Sequence, residues 1–578
     1  MSELAPTLDL PQLHASLVQQ GLFDPDVLQQ AMPSMPRHLP PLQALGMAEL
    51  IDTQGQTWDE ACFTRWYAEQ IGWVFQRIDP LATDVAAVTG VMSAGFAQSH
   101  NILALSVSAD TVTVAVVDPR ETRWISGLEQ VSKRRVVRVL SPPSEIARHR
   151  TEFYALSQSI GSALQRGDVQ RLSDLEQLLD LSDARPSADD QSIVEVVDWV
   201  LRYAFEQRAS DIHVEPRRDQ AKVRMRIDGV LHSVYQMPAQ IGAAIVSRFK
   251  ALGRMDVAEK RQPQDGRLKT RSPRGREIEL RLSTLPTAFG EKLVARIFDP
   301  EVLQQGFDEL GFGAQELQTW RRMTARHEGI VLVTGPTGSG KTTTLYATLR
   351  ELASEEVNLC TVEDPIELIE PAFNQVQVQH SIGLDFAAGM KSLLRQDPDI
   401  IMVGEIRDRE TADMAIQAAL TGHLVVSTLH TNDAPSAVTR LLELGVPAYL
   451  LRATLIGVMA QRLTRTLCAH CKQPTQVDTE AWSESIAPFN APAPEQIWQA
   501  EGCEHCRQTG YSGRAGIYEL LELDDALRQG IHSDTSLEQW RAQAWQAGMT
   551  PLRVAGARRV AAGLTTLEEV SRVTPGLS

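Results

Sequence analysis

Cysteine is scarce in this chain: six residues in 578 cannot make a disulfide framework, which points away from a secreted scaffold. Long apolar runs are missing too. No stretch approaches the roughly 18 consecutive apolar residues that a membrane-spanning helix needs. The opening Met1-Ser2-Glu3-Leu4-Ala5-Pro6 has no basic region followed by an apolar core, so no signal peptide is expected and the chain is read as cytoplasmic. Aromatic residues make up only 6%, and the net charge is −17; both argue against nucleic acid as the default partner. Internal repeats and long low-complexity tracts are also absent. Ordinary hydrophobic (43%) and charged (22%) contents remain, as in a multidomain globular protein.

One segment runs against the overall charge. From Arg217 to Arg296 there are 18 Lys/Arg against 8 Asp/Glu, a local +10. A solvated basic face, a nucleic-acid surface or arginines aimed at a bound nucleotide would each account for it.

The strongest signal is Gly335-Pro336-Thr337-Gly338-Ser339-Gly340-Lys341-Thr342, a P-loop preceded by the apolar run Gly329-Ile330-Val331-Leu332-Val333-Thr334. A buried strand feeding a glycine-rich turn that opens a helix at Lys341 lets backbone N–H groups wrap the β-phosphate. Lys341 then reaches the β- and γ-phosphates, the Thr342 hydroxyl holds Mg²⁺, and Thr343 lies beside it in the first helical turn. The chain is therefore expected to bind ATP.

Downstream, Ile400-Ile401-Met402-Val403 is a fully apolar strand ending in Gly404-Glu405. A carboxylate at such a tip can act through the metal or polarise the attacking water. Val357 to Val362 forms another strand, followed by Glu363-Asp364-Pro365-Ile366-Glu367, which places Glu363, with Asp364 and Glu367 close by, beside the water or the metal. Leu424 to Thr428 is flanked by His423 and His430, both read as sensors of the γ-phosphate.

Cys468-Ala469-His470-Cys471 and Cys503-Glu504-His505-Cys506 are two C-x-x-C knuckles with 31 residues between them. Each brings two thiolates to one side of a turn, and together they complete a tetrahedral Zn²⁺ site with no open position for catalysis. Cys62 and Cys360 are read as ordinary buried thiols.

Taken in order, Thr361 to Glu367, Leu394 to Asp408 and Thr421 to Asn432 resemble the Asp box, Walker B region and His box of the ATPases of type II secretion and type IV pilus assembly. The likeness extends from about Ser192 to the C-terminus. It implies a RecA-like P-loop ATPase core of α/β class, preceded by α/β (PAS-like) N-terminal domains and carrying a four-cysteine zinc subdomain inserted near the C-terminus. Ala209 to Pro216, Arg224 to Gly229 and Gln264 to Arg267 resemble the family's second N-terminal domain, which lends arginines to the phosphates; Arg226, Arg281 and Arg296 are the candidates by position. The resemblance also implies a homo-hexamer on the cytoplasmic face of the inner membrane, attached through a membrane-anchored docking protein and acting on a platform protein. A zinc-bearing insertion favours assembly over retraction. The stretch from Ser427 through Gly457-Val458-Met459-Ala460-Gln461-Arg462-Leu463 is closer to type II secretion motors than to pilus motors. At the N-terminus, Leu17 to Leu22 and Val27 to Gln30 are similar to a repeat that binds cyclic di-GMP but lack its Arg-Leu-Gly start. A docking module is expected there rather than a cyclic di-GMP site.

These readings divide the chain into an N-terminal helical segment (1–55), an α/β docking domain (56–155), a linker (156–191), the arginine-bearing domain (192–305), the ATPase domain (306–465), the tetracysteine subdomain (466–510) and a C-terminal helical domain (511–578). A nucleic-acid translocase, of the kind that serves DNA uptake, and a nucleotide-switched scaffold are the rival readings. The acidic balance disfavours the first, and Glu405 with the paired histidines disfavours the second.

Overall fold

The computed structural model describes residues 8–31, 35–36, 39–48, 50–80, 83–173, 190–273, 275–489, 492–533 and 536–576. It divides into two compact units, Met1–Ile297 and Phe298–Ser578. Among the described residues no helix is long and apolar enough to cross a membrane.

The N-terminal segment forms helices. Leu10–Gln19 is capped by the Asp9 carboxylate and buries Leu13 and Leu17, and Pro25–Ala31 buries Leu28. A turn at Ala109-Asp110 joins Ile102–Val107 to Thr111–Val116 as an antiparallel pair, and Arg135–Leu140 adds a parallel third strand. The helix Pro143–Ser173 follows and runs well into the stretch expected to be linker. Residues 174–189, where most of the remaining linker was expected, lie outside the described residues.

A six-stranded sheet completes the first unit, in the order Val230–Pro238, Gln220–Ile227, Asp211–Pro216, Gly290–Phe298, Glu277–Thr287, Gln264–Arg271. Ile227 pairs with Val230 across the Asp-Gly turn, where Asp228 and Gly229 take φ of 48° and 83°. Two positive φ values in succession are what a tight two-residue hairpin needs. Along Gln220–Ile227 burial alternates strictly. Ala221, Val223, Met225 and Ile227 pack inward, and Lys222, Arg224 and Arg226 occupy the opposite face. Part of the local positive charge is thus one face of a sheet, and Arg248 and Lys250 sit on the helix Ala239–Leu252. Carboxylates already partner much of it: Glu215 faces Arg217, Arg224 and Lys292, and the buried Lys250 donates to Glu291 at 2.6 Å. Burial alone would raise the Glu215 carboxyl, but Arg224 and Lys292 hold it down at about 2.

The second unit is built on a seven-stranded sheet in the order Asn374–Gln377, Leu359–Glu363, Ile400–Val403, Leu424–Leu429, Gly329–Thr334, Leu455–Leu467, Tyr511–Glu522. The first six run parallel. The central strands are buried along their whole length because helices cover both faces. The seventh strand corrects the expected boundary: Tyr511–Glu522 is not the start of a helical domain but pairs antiparallel with Leu455–Leu467 along nearly its full length. Leu455–Leu467 has 13 residues against six in Gly329–Thr334, so its outer backbone groups need another partner. The tetracysteine segment is an insertion between these two strands, and helices follow from Asp525.

Candidate nucleotide site and thiol cluster

Parallel strands bring their C-terminal ends to one edge of a sheet, where ligands of such folds gather. The register places Thr334 beside Leu429 and Ala460, and Val403 beside Ser427 and Val362. The residues that follow these strand ends (Gly335, His430, Gln461 and Glu405), with Glu363 at the tip of Leu359–Glu363, therefore share that edge.

The loop Gly335 to Gly340 turns sharply, with Gly338 and Gly340 at φ of 79° and 88°. Gly340 is the left-handed residue from which the helix Lys341–Leu352 starts, as the sequence predicts. Pro336, Thr337 and Gly338 are exposed at the rim, while Ser339 is buried with a hydroxyl that has no hydrogen-bond partner among the described residues. Lys341 folds back so that Nζ donates to the Gly335 carbonyl at 2.8 Å and to that of Pro336 at 3.2 Å. Burial pushes its ammonium down to about 8, with Glu405 acting in the opposite sense. Thr342 is exposed at the helix start and Thr343 half-buried. An orphaned hydroxyl, a lysine resting on loop carbonyls and a helix N-terminus together suit a phosphate chain.

Glu405 lies beside Lys341, with its carboxylate accepting from Arg407 and standing 3.3 Å from His430 Nε2. Burial, then Lys341, lowers the His430 imidazole below its ordinary value. Glu363 is held more tightly. Thr361 Oγ1 and Gln375 Nε2 donate to Oε1 at 2.6 and 3.0 Å, and the Tyr346 hydroxyl donates to Oε2 at 2.7 Å. A carboxylate has about four lone-pair sites. Three are taken, which leaves capacity for one more donor such as water. Asp364 is exposed, 3.6 Å from His380 Nε2, and Glu367 lies half-buried in the turns beyond it.

His423 is not part of this group. It precedes the strand Leu424–Leu429, and its carbonyl accepts from Gly329 N at the start of the P-loop strand. His430 follows the same strand, so about 20 Å of extended chain separates the two rings. The His423 ring instead sits 2.8 Å from the Ala418 carbonyl at a helix end. Reading both histidines as γ-phosphate sensors overlooked that a strand presents its two ends to opposite edges of the sheet.

Arg226 and Arg296 sit on the strands flanking Asp211, both in register with it. Arg296 Nε donates to Asp211 at 3.1 Å, Arg226 Nε stands 3.6 Å from it, and Arg226 also donates to the Gly229 carbonyl. Arg281 is half-buried and paired in register with Arg267.

The four cysteine thiols lie within 4.8 Å of one another. Cys468 and Cys503 are separated by 3.8 Å and Cys471 and Cys506 by 3.7 Å. A tetrahedral Zn²⁺ with bonds of about 2.3 Å sets its sulfurs about 3.8 Å apart, so the cage fits such an ion. Burial raises the Cys506 thiol, but N–H groups of Cys503 and Gly510, each 3.1 Å from Sγ, outweigh it and leave the thiol below its ordinary value.

Tyr346, Thr361 and Gln375 around Glu363, and Gln461 beside the loop, escape the sequence reading. Gln461 left one trace: it is an amide ending the otherwise uncharged, apolar run Leu455 to Ala460.

The family described as type II/IV secretion system protein matches residues 186–572, and the MshEN domain matches residues 72–160. The type IV pilus assembly ATPase TfpB of Acinetobacter baylyi is 52% identical over 540 residues, covering 93% of this chain and 92% of that protein. The type IV pilus assembly ATPase PilB of Myxococcus xanthus is 41% identical, covering 82% of this chain and 84% of its own length. Type II secretion system protein E of Pseudomonas aeruginosa is 44% identical, covering 72% and 82%. Among solved structures, the ATPase DotB of Yersinia pseudotuberculosis superposes with a TM-score of 0.50 at 20% identity, over 67% of this chain and 95% of that one, a likeness of fold alone.

Proposed function

The chain belongs to the type II/IV secretion system protein family, and on that premise we propose that it is the ATP-hydrolysing motor of a type IV pilus assembly machine. ATPase activity rests on the P-loop and Glu405 meeting at one edge of the sheet. The choice of pilus over secretion pseudopilus rests on identity. The Acinetobacter pilus ATPase is 52% identical over 93% of the chain, whereas the secretion proteins of Pseudomonas and Pectobacterium are 44% and 41% identical over 72% and 86%. That identity outweighs the expectation drawn from Ser427 to Leu463.

In the proposed reaction the loop N–H groups and the helix start receive the phosphates, and Lys341 leaves the carbonyls of Gly335 and Pro336 to meet them. Thr342 would hold Mg²⁺, which neutralises phosphate charge when bound. Glu363, its other lone pairs occupied, accepts a hydrogen bond from the attacking water. Glu405 takes up the proton that the attacking water releases, and His430 beside it responds to the γ-phosphate. Asp364 and Glu367 shape the approach to Glu363. Arg226, Arg281 and Arg296 are kept as phosphate ligands on the family resemblance alone. Cys468, Cys471, Cys503 and Cys506 would hold one Zn²⁺ as a structural ion.

The partners follow from the same resemblance: a homo-hexamer, peripheral to the inner membrane on its cytoplasmic side, working with a platform protein and a membrane-anchored docking protein. Nucleic acid is not among them. The net charge of −17 argues against it, and Asp211 and Glu215 pair part of the basic sheet face of the first unit. The proposal is tested by complementing a host that lacks its own pilus assembly ATPase. The wild-type chain should restore surface pili and Lys341→Ala should not. Restored export of folded proteins without pili would instead assign the chain to type II secretion.

A further inference from the structure

Gln461 occupies a position where an apolar residue would suffice for packing. The strand Leu455–Leu467 runs buried from Leu455 through Arg462, and its pairing with the P-loop strand ends at Thr334 and Ala460. The next residue on each strand is where the two part: Gly335 turns away into the loop, and Gln461 stays in the sheet, 1% exposed. Both its backbone and its side chain then face the loop. Its carbonyl oxygen lies 2.6 Å from where a Cβ on Gly335 would stand, and its Nε2 lies 2.8 Å from the same place on Gly340. Its Oε1 accepts from the Thr344 hydroxyl at 2.9 Å. Thr344 is wholly buried in the first turn of the helix, and its N–H bonds the Gly340 carbonyl at 3.1 Å.

These contacts form a closed circuit from strand to helix to loop, gripping the glycines whose backbone must face phosphate. We propose that Gln461 is a positioning residue for nucleotide binding, which through Thr344 fixes the loop between Gly335 and Gly340 in the shape that receives the phosphates. Alternation along the strand sends the neighbouring Arg462 to the other face, where it donates to Asn432 and to the Val573 carbonyl, so the loop is served by Gln461 and not by its neighbour. An amide suits this task because it accepts from Thr344 while its nitrogen stays against Gly340. A leucine would fill the space but hold neither.

The inference rests on the ATPase reading, which the wild-type chain tests separately in the same titration by binding nucleotide or failing to. The experiment measures ATP and ADP affinity of the full chain with a fluorescent nucleotide for Gln461→Leu, Thr344→Val and the double variant. Each single variant should weaken both nucleotides about tenfold, the effect of one lost buried hydrogen bond. The double variant should be no weaker than either single one, because both break the same link. Melting of the nucleotide-free protein should fall by no more than about 4 °C. Unchanged affinity in the single variants, or losses that add in the double, would overturn the proposal. Should Gln461→Leu fail to fold, Thr344→Val decides the matter alone.

Discussion

Tyr346 donates its phenolic hydrogen to Glu363 Oε2 at 2.7 Å, linking the helix that opens at the P-loop lysine to the strand that ends in the candidate water-activating carboxylate. Any shift of that helix on nucleotide binding is felt at Glu363 directly. Tyr346→Phe keeps the ring and removes this link together with the hydroxyl's contacts to the Leu368 carbonyl and Gln375 Nε2. Turnover should fall about tenfold with the KM for ATP within about twofold, since the hydroxyl touches the carboxylate and not the phosphates. Steady-state phosphate release across a range of ATP concentrations measures both.

Lys341 predicts a pH dependence of nucleotide affinity. Burial holds its ammonium at about 8 in the nucleotide-free chain, and phosphate binding requires the charged form. Affinity should be flat below that value and fall above it, by at most about tenfold per pH unit. Lys341→Arg, weaker throughout, should show no such bend, because a guanidinium does not titrate there. The same lowered value has a consequence for stability. Between about 8 and the ordinary lysine range near 10.4 the unfolded chain binds more protons, so this group makes the nucleotide-free protein more stable as pH rises through that window.

The two histidines should behave differently. His430→Ala removes a ring that stands 3.3 Å from Glu405 and should cut turnover by about a hundredfold. His423→Ala, at the far end of the same strand, should leave turnover within about twofold and lower stability slightly through its lost contact with Ala418. Equal losses in both would refute the separation.

Metal removal should act on the second unit. The strand Leu455–Leu467 runs straight into Cys468, whose N–H bonds the Gly510 carbonyl, while Lys472 reaches the carbonyl of Gly563. Elemental analysis should find one zinc per chain. Cys503→Ser should lose the zinc and lower the melting temperature by roughly 10 °C. A zinc-free wild type melting at the same temperature as the loaded protein would contradict a structural ion.

Much of the site was legible because it is carried by backbone-determined motifs. The P-loop, the strand ahead of Glu405 and the helix beginning at Lys341 are each local in sequence, so glycine spacing and apolar runs reveal them. The paired cysteine knuckles are visible for the same reason. What stayed hidden depends on register between distant strands. That His423 and His430 bracket one strand already puts them at opposite edges, but which of them shares the P-loop edge follows from the parallel pairing of Leu424–Leu429 with Gly329–Thr334. Tyr346 and Gln375 reach Glu363 from separate elements, and Gln461 reaches Thr344 across 117 residues. Tyr511–Glu522 looked like the start of a helical domain because its role, closing the edge of Leu455–Leu467, is set by a partner far upstream.

The central claim, that ATP is cleaved at the edge where the P-loop meets Glu405, is tested most directly by Glu405→Gln in the purified chain, with ATP binding and single-turnover hydrolysis measured together. The expected result is near-native ATP affinity with hydrolysis reduced by about a hundredfold or more. Hydrolysis at the wild-type rate in this variant would contradict the account.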